Sequence, residues 1–152
     1  MISETSNKEE LLTSIDKTIS QLAGLMSSLD ETQVNTVPYE DSWTAGQLFS
    51  HVTKSINGMG GVMLKESAPA ERDQGERIEG LKRAFLDFST KMKSPDFIIP
   101  DEGPFQKDTS IQALTTAFEK MKESTTKANL NELLTGLPLG EITKWELLHF
   151  VL

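Results

Sequence analysis

No cysteine occurs in the 152 residues, which excludes disulfides, a zinc–thiolate site and a cysteine nucleophile. Basic blocks are missing too, and the net charge of -8 argues against a nucleic-acid binder, because contact with phosphates needs a basic face. No apolar run approaches the length of a membrane span. The opening MISETSNKEELL is polar and acidic, without the basic start and apolar centre of a signal peptide. A cytoplasmic protein without nucleic-acid or membrane partners is expected. Aromatics are sparse at 7%, and histidine occurs only twice. Period-two alternation is absent over any useful length, and so are repeats of solenoid size.

What remains is helical signal. Four pairs have the form of a reciprocal cap, Ser or Thr followed three residues later by Glu or Gln: Ser6/Glu9, Thr44/Gln47, Thr109/Gln112 and Thr143/Glu146. Each precedes an apolar run with steps of three and four, which places one stripe on a helix. The runs are Leu12, Ile15, Ile19, Leu22, Met26, Leu29; Leu48, Val52, Ile56, Met59, Met63; Ile111, Leu114, Phe118, Met121; and Leu147, Leu148, Val151, Leu152. A fifth stripe, Ile78 to Met92, has no clear cap. The methionines on these stripes read as flexible core filler.

Proline and glycine punctuate the chain. SPDFIIPDEGPF (94–105) must be a loop, with Phe97, Ile98 and Ile99 lying flat on the helices or forming a short edge. TGLPLG (135–140) breaks the chain again. NGMGG (57–61) either kinks its helix, ends it early or admits a close backbone. APAERDQGER (68–77) reads as a mobile linker, and DETQ (30–33) and YEDS (39–42) as solvated loops. Glu40 or Asp41 is a candidate neighbour of the second helix's N-terminus, where the dipole favours negative charge. Trp43 reads as a packing staple sooner than as a pocket wall, and Lys54 as exposed. Ser50 has no His or acid spaced to activate it. The expected fold is all-α: four long helices, an additional one at 78–92, and long connecting loops. TKWELLHFVL leaves the last helix only about nine residues, too short to persist without packing. One domain over 1–152, incomplete at its C-terminus, is therefore expected.

The histidines carry the functional reading. His51 lies seven residues after Thr44, about 60° round an ideal helix from Leu48 and at the edge of the expected stripe. WTAGQLFSHV resembles the first signature block of the DinB-like (DinB/YfiT-like, DNA-damage-inducible) superfamily: a Trp, a Ser or Thr, then an amphipathic helix with a His about two turns in. Trp43, Thr44, Leu48 and His51 match it in order. ITKWELLHFV resembles the start of the family's final block, where a Thr caps the last helix. The resemblance implies an up-down-down-up four-helix bundle and a three-histidine site for a divalent metal, zinc or nickel. One ligand would come from the second helix and two, four residues apart, from the last. It further implies metal-dependent thiol transfer or hydrolysis of a small-molecule substrate, the ion lowering the pKa of bound water or thiol. The metal candidates are His51 and His149. His149 lies six residues after Thr143, a turn or more before the family's paired ligands, and Phe150 holds the position equivalent to His51. A metal-free bundle acting as a binding or dimerisation module, with a possible homodimer, is the competing expectation. The bland reading of either histidine is a half-buried ring with a hydrogen-bond partner.

Overall fold

The computed structural model describes residues 4–151, with side chains from Asn7 onward. It is mostly helical: α1 (Glu4–Ser27), α2 (Glu31–Val34), α3 (Ala45–Met63), α4 (Ile78–Phe85), α5 (Lys107–Lys127) and α6 (Lys144–His149). A single 3-10 turn spans Asp96–Ile98, and two-residue strands β1 (Leu133–Leu134) and β2 (Ile142–Thr143) pair antiparallel.

Two of the expected caps form, with both reciprocal bonds in place. The Gln47 N–H donates to Thr44 Oγ1 at 3.0 Å while the Thr44 N–H donates to Gln47 Oε1 at 3.0 Å. Thr143 and Glu146 do the same for α6, at 3.1 and 2.9 Å. The Thr109/Gln112 cap does not, and the Ser6 side chain lies outside the described ones. Helix α1 is already formed at Glu4, so Ser6 lies inside it. Helix α5 begins at Lys107, two residues before Thr109, whose hydroxyl donates instead to Gln106 Oε1. Its starting N–H is taken by a distant carboxylate: Lys107 N donates to both oxygens of Glu31, at 3.2 and 3.1 Å. Negative charge at a helix N-terminus is favourable. DETQ is therefore no loop. Asp30 and Gln33 form a further reciprocal cap on α2, and Glu31 caps α5.

Helix directions follow from which ends meet. Lys8 Nζ, early in α1, donates to Ala128 O just past α5, and Lys107 Nζ at the start of α5 donates to Leu29 O just past α1. These two helices are antiparallel. Helices α3 and α5 are parallel. The Phe105 ring, two residues before α5, covers Gly46 near the start of α3, and Gly60 near the end of α3 meets Met121 late in α5. A Cβ on Gly60 would stand 3.4 Å from the Met121 Cα, so NGMGG is a point of close backbone approach inside a continuous helix. Helix α6 starts at the end where α3 and α5 finish, with Lys144 Nζ on Lys65 O and Trp145 N on Leu130 O.

The core joins the α1 stripe (Leu12, Ile15, Ile19, Met26) to Leu114, Phe118 and Met121 of α5, with Leu147 and Leu148 from α6. Each such side chain contributes about 1.5–3 kcal/mol by leaving water. The α3 stripe holds at Val52, Ile56, Met59 and Met63, which are buried in the core or packed on it, but not at Leu48. Phe49, Ile56, Gly60 and Met63 are buried, while Leu48 is 44% exposed. Phe49 outweighs Leu48 in apolar area and takes the same side of α3 as Gly60, which meets α5. Helix α4 stops at Phe85 rather than Met92. The Asp87 carboxylate accepts the Ser89 N–H and the Thr90 hydroxyl, a local alternative to continuing the helix. Phe88 and Met92 are consequently exposed. Helix α6 is six residues long, Val151 is half-buried, and Leu152 lies outside the described residues. TGLPLG forms the β1–β2 turn, where Gly136 and Gly140 adopt φ of 76° and 78°, a left-handed conformation that favours glycine.

Candidate functional site

His51 sits two turns into α3, half-buried, and its surroundings come from two loops rather than from the helical core. From Phe49 to His51 an ideal helix turns through about 200°, so His51 lies about 160° away from the buried stripe. It therefore lies on a different side of α3 from Gly60, which meets Met121 of α5. The Trp43 ring packs on it, centroids 4.9 Å apart and planes inclined by 44°. Trp43 is thus a wall of the histidine's seat.

The other wall is the proline-rich segment 94–105, laid along the outer face of α3. His51 Nδ1 lies 2.9 Å from the Ile98 carbonyl oxygen. A carbonyl only accepts, so Nδ1 carries the proton, and in the neutral ring Nε2 keeps its lone pair. The segment is fastened on either side of that bond. Lys54 Nζ donates to Ile99 O and to Asp101 Oδ1, both at 2.8 Å. The Asp101 N–H donates to Ser50 Oγ at 3.1 Å, and the Ser50 hydroxyl reaches Asp101 Oδ2 at 3.4 Å. The hydrogen bond from the Lys54 ammonium holds Asp101 below the usual carboxylate range. Lys54, expected to be exposed, is partly covered and ion-paired. Ser50 does meet an acid, Asp101, from 51 residues away. Its oxygen accepts the Asp101 amide, and the carboxylate it reaches is weakened as a base by its bond from Lys54, so Ser50 is an anchor. Glu40 and Asp41 are exposed, and the first turn of α3 is served by Thr44 instead.

A second polar cluster lies at the start of α6. Glu146 is fully buried and accepts four bonds: Arg72 Nη1 at 2.7 Å, Arg72 Nη2 at 2.9 Å, the Arg77 N–H at 2.7 Å and the Thr143 N–H at 2.9 Å. Burial acts to raise its carboxyl pKa. The bonds from Arg72, Thr143 and Arg77 outweigh burial and leave it below the usual range. Lys144, 2% exposed, pairs with Glu132 at 2.5 Å. The segment 68–77 is therefore tied down and is not a free linker. Pro69 bridges to Glu132, Ala70 N donates to Asn131 O, and Thr143 Oγ1 donates to Gln74 O.

His149 belongs to this α6 neighbourhood and shares none of the His51 contacts. Its ring meets the Trp145 ring edge-on, centroids 4.8 Å apart. Its Nε2 is buried without a hydrogen-bond partner among the described residues. Burial, and then the charge of Lys82, push its pKa down, so it stays neutral. Among the described residues no three His, Asp or Glu side chains are grouped to hold a metal ion. His51 fits one imidazole ligand, with its outer nitrogen already engaged as metal-binding histidines usually have it. The described residues do not fit a complete three-ligand centre.

Among the described residues, two of the surface grooves are well formed, and neither is lined by a histidine. The larger, about 610 Å³, runs between α1 and the end of α5 beside Trp145. The smaller, about 320 Å³, lies by Gly60 and Gly61. No helix among the described residues is long and apolar enough to cross a membrane.

Asp101, the Ile98 carbonyl, Arg72 and Glu132 were invisible to sequence reasoning, because each acts across a long separation. One signal was available. Lys144 stands between a cap and an apolar helix, and a lysine buried there needs an anion. Compared with known proteins, residues 14–152 match the family model described as DinB superfamily. No curated protein and no solved structure matches.

Proposed function

From its membership of the DinB superfamily, we propose that this chain is a metal-dependent enzyme of the thiol-transferase or hydrolase type, acting on a small molecule. His51 Nε2 supplies one ligand to zinc or nickel. The observation carrying this reading is the Nδ1–H bond to Ile98 O, which leaves Nε2 as the free donor. We propose also that the helices belong to an up-down-down-up four-helix bundle. The antiparallel α1/α5 pair, the parallel α3/α5 pair and the starting end of α6 support that arrangement. Because the described residues hold no complete ligand set, no chemical step is derived through the metal.

Titration calorimetry with zinc and with nickel tests the reading. Binding at one ion per chain is expected, weakened in His51→Ala by more than about 100-fold, since even an outer partner of a ligand costs 10- to 100-fold. His149→Ala, with a buried and unfavourably placed ring, is expected to bind as wild type does. Absence of His51-dependent binding overturns the proposal.

A second reading has its own observation. Phe88 is 87% exposed and Leu86 67%, an apolar display suited to a binding or dimerisation module. A concentration-dependent dimer in light scattering, lost in Phe88→Ser, supports that reading; a monomer at micromolar concentration sinks it.

A further inference from the structure

We propose that Lys54 and Asp101 are positioning residues that act through the segment 98–101 to select the tautomer of His51. Three polar side chains, Ser50, His51 and Lys54, lie within about 100° of one another on the face of α3 turned away from the core. Each binds the same short segment. Ser50 takes the Asp101 N–H, His51 donates to Ile98 O, and Lys54 donates to Ile99 O and the Asp101 carboxylate. The central bond decides which imidazole nitrogen is free. The flanking anchors Ser50 and Lys54 fix the register of that carbonyl, because they bind the backbone within three residues of it. Phe97 is 68% exposed and Ile99 43%, while Ile98 is half-buried and Pro100 buried, so apolar contact seats part of the strap without setting the register of its carbonyls. Polar bonds fix where the Ile98 carbonyl stands: Ser50 and Lys54 each bind both backbone and the Asp101 carboxylate, and the Lys54 contact is the one that is also an ion pair.

The function of this arrangement follows from its geometry. With the strap seated, Nε2 offers a lone pair in the seat beside Trp43. With the strap lifted, the ring exchanges between tautomers and rotates about χ2. The consequence for metal rests on the reading above, but the tautomer does not, so the test uses metal-free protein.

The experiment is a long-range proton–nitrogen NMR correlation on uniformly ¹⁵N-labelled full chain, at a pH above the ordinary histidine pKa of about 6.5. The His51 signals are those missing from His51→Gln. In wild type, Nδ1 is expected to give the protonated signature and Nε2 the lone-pair signature. In Lys54→Met and, separately, Asp101→Asn, the two resonances are expected to move toward each other as a second tautomer becomes populated. Lys54→Arg, which keeps charge and donors, is expected to restore the wild-type pattern. Asp101→Asn lies on a surface loop and keeps the fold if Lys54→Met does not. A wild-type ring protonated on Nε2 overturns the proposal. So does an unchanged Nδ1–H signature in folded Lys54→Met and Asp101→Asn. Loss of metal binding with an intact tautomer effect would refute only the metal reading.

Discussion

Replacing Arg72 by Met strands the most deeply buried charge among the described residues. Glu146 has no exposed surface, and two of its four hydrogen bonds come from the Arg72 guanidinium. Removing one partner of a buried pair costs about 3–5 kcal/mol, because the other charge is left uncompensated. The lower end applies here. The Arg72 side chain is 23% exposed, and the carboxylate keeps the Thr143 and Arg77 N–H donors. Arg72→Met should therefore cost about 3 kcal/mol. Glu146→Gln should cost less, about 1–2 kcal/mol: glutamine still completes the cap and Arg72 can turn to water. The double variant should then be more stable than Arg72→Met alone, since no buried charge remains. Urea unfolding followed by far-UV circular dichroism measures all three. The pH dependence has a definite sign. The folded Glu146 pKa is lowered, so its contribution is complete above the ordinary carboxyl value of about 4.3 and is lost as pH falls through the folded value. Glu146→Gln should lack that acid slope. An Arg72→Met protein within about 1 kcal/mol of wild type would place the pair among surface ion pairs and refute the reasoning. A double variant no more stable than Arg72→Met would do the same.

His149→Leu should stabilise the protein by about 1 kcal/mol, because it removes a buried ring nitrogen without a partner. Thermal melts at neutral pH read this as a rise of about 2–4 °C. The same variant should lose less stability as pH drops below about 6.5, where the unfolded chain binds a proton that folded His149 refuses; an equal slope in both proteins contradicts this. At Gly60, alanine should be accepted, its Cβ being at van der Waals distance from Met121 and its helix propensity better by about 1 kcal/mol. Valine there should cost about 1–3 kcal/mol by forcing α3 off α5, and equal urea midpoints for the two would deny the close approach. Thr143→Ala should cost about 1–2 kcal/mol through loss of the α6 cap. Thr143→Ser should recover most of it, and an alanine variant as stable as wild type would mean that burial alone holds α6.

Local rules carried much of this protein in its sequence. The stripes of α1 and α5 are where their spacing put them, because a period of 3.6 needs only neighbours along the chain. The Thr44/Gln47 and Thr143/Glu146 caps formed because both partners lie within one turn. Trp43, Thr44 and His51 were enough to resemble the family to which the chain belongs. The stripe of α3 was misread only at its first member, since Leu48 and Phe49 are both apolar and the tertiary packing chooses between them. The strap over His51 and the Arg72–Glu146 pair were beyond sequence reasoning for a different reason. Ile98 stands 47 residues from His51, and Glu146 stands 74 from Arg72. Nothing in either local pattern anticipates the other. A helix is specified by contacts three and four residues apart, whereas a histidine's free nitrogen is specified by whichever carbonyl the tertiary structure brings to its other side.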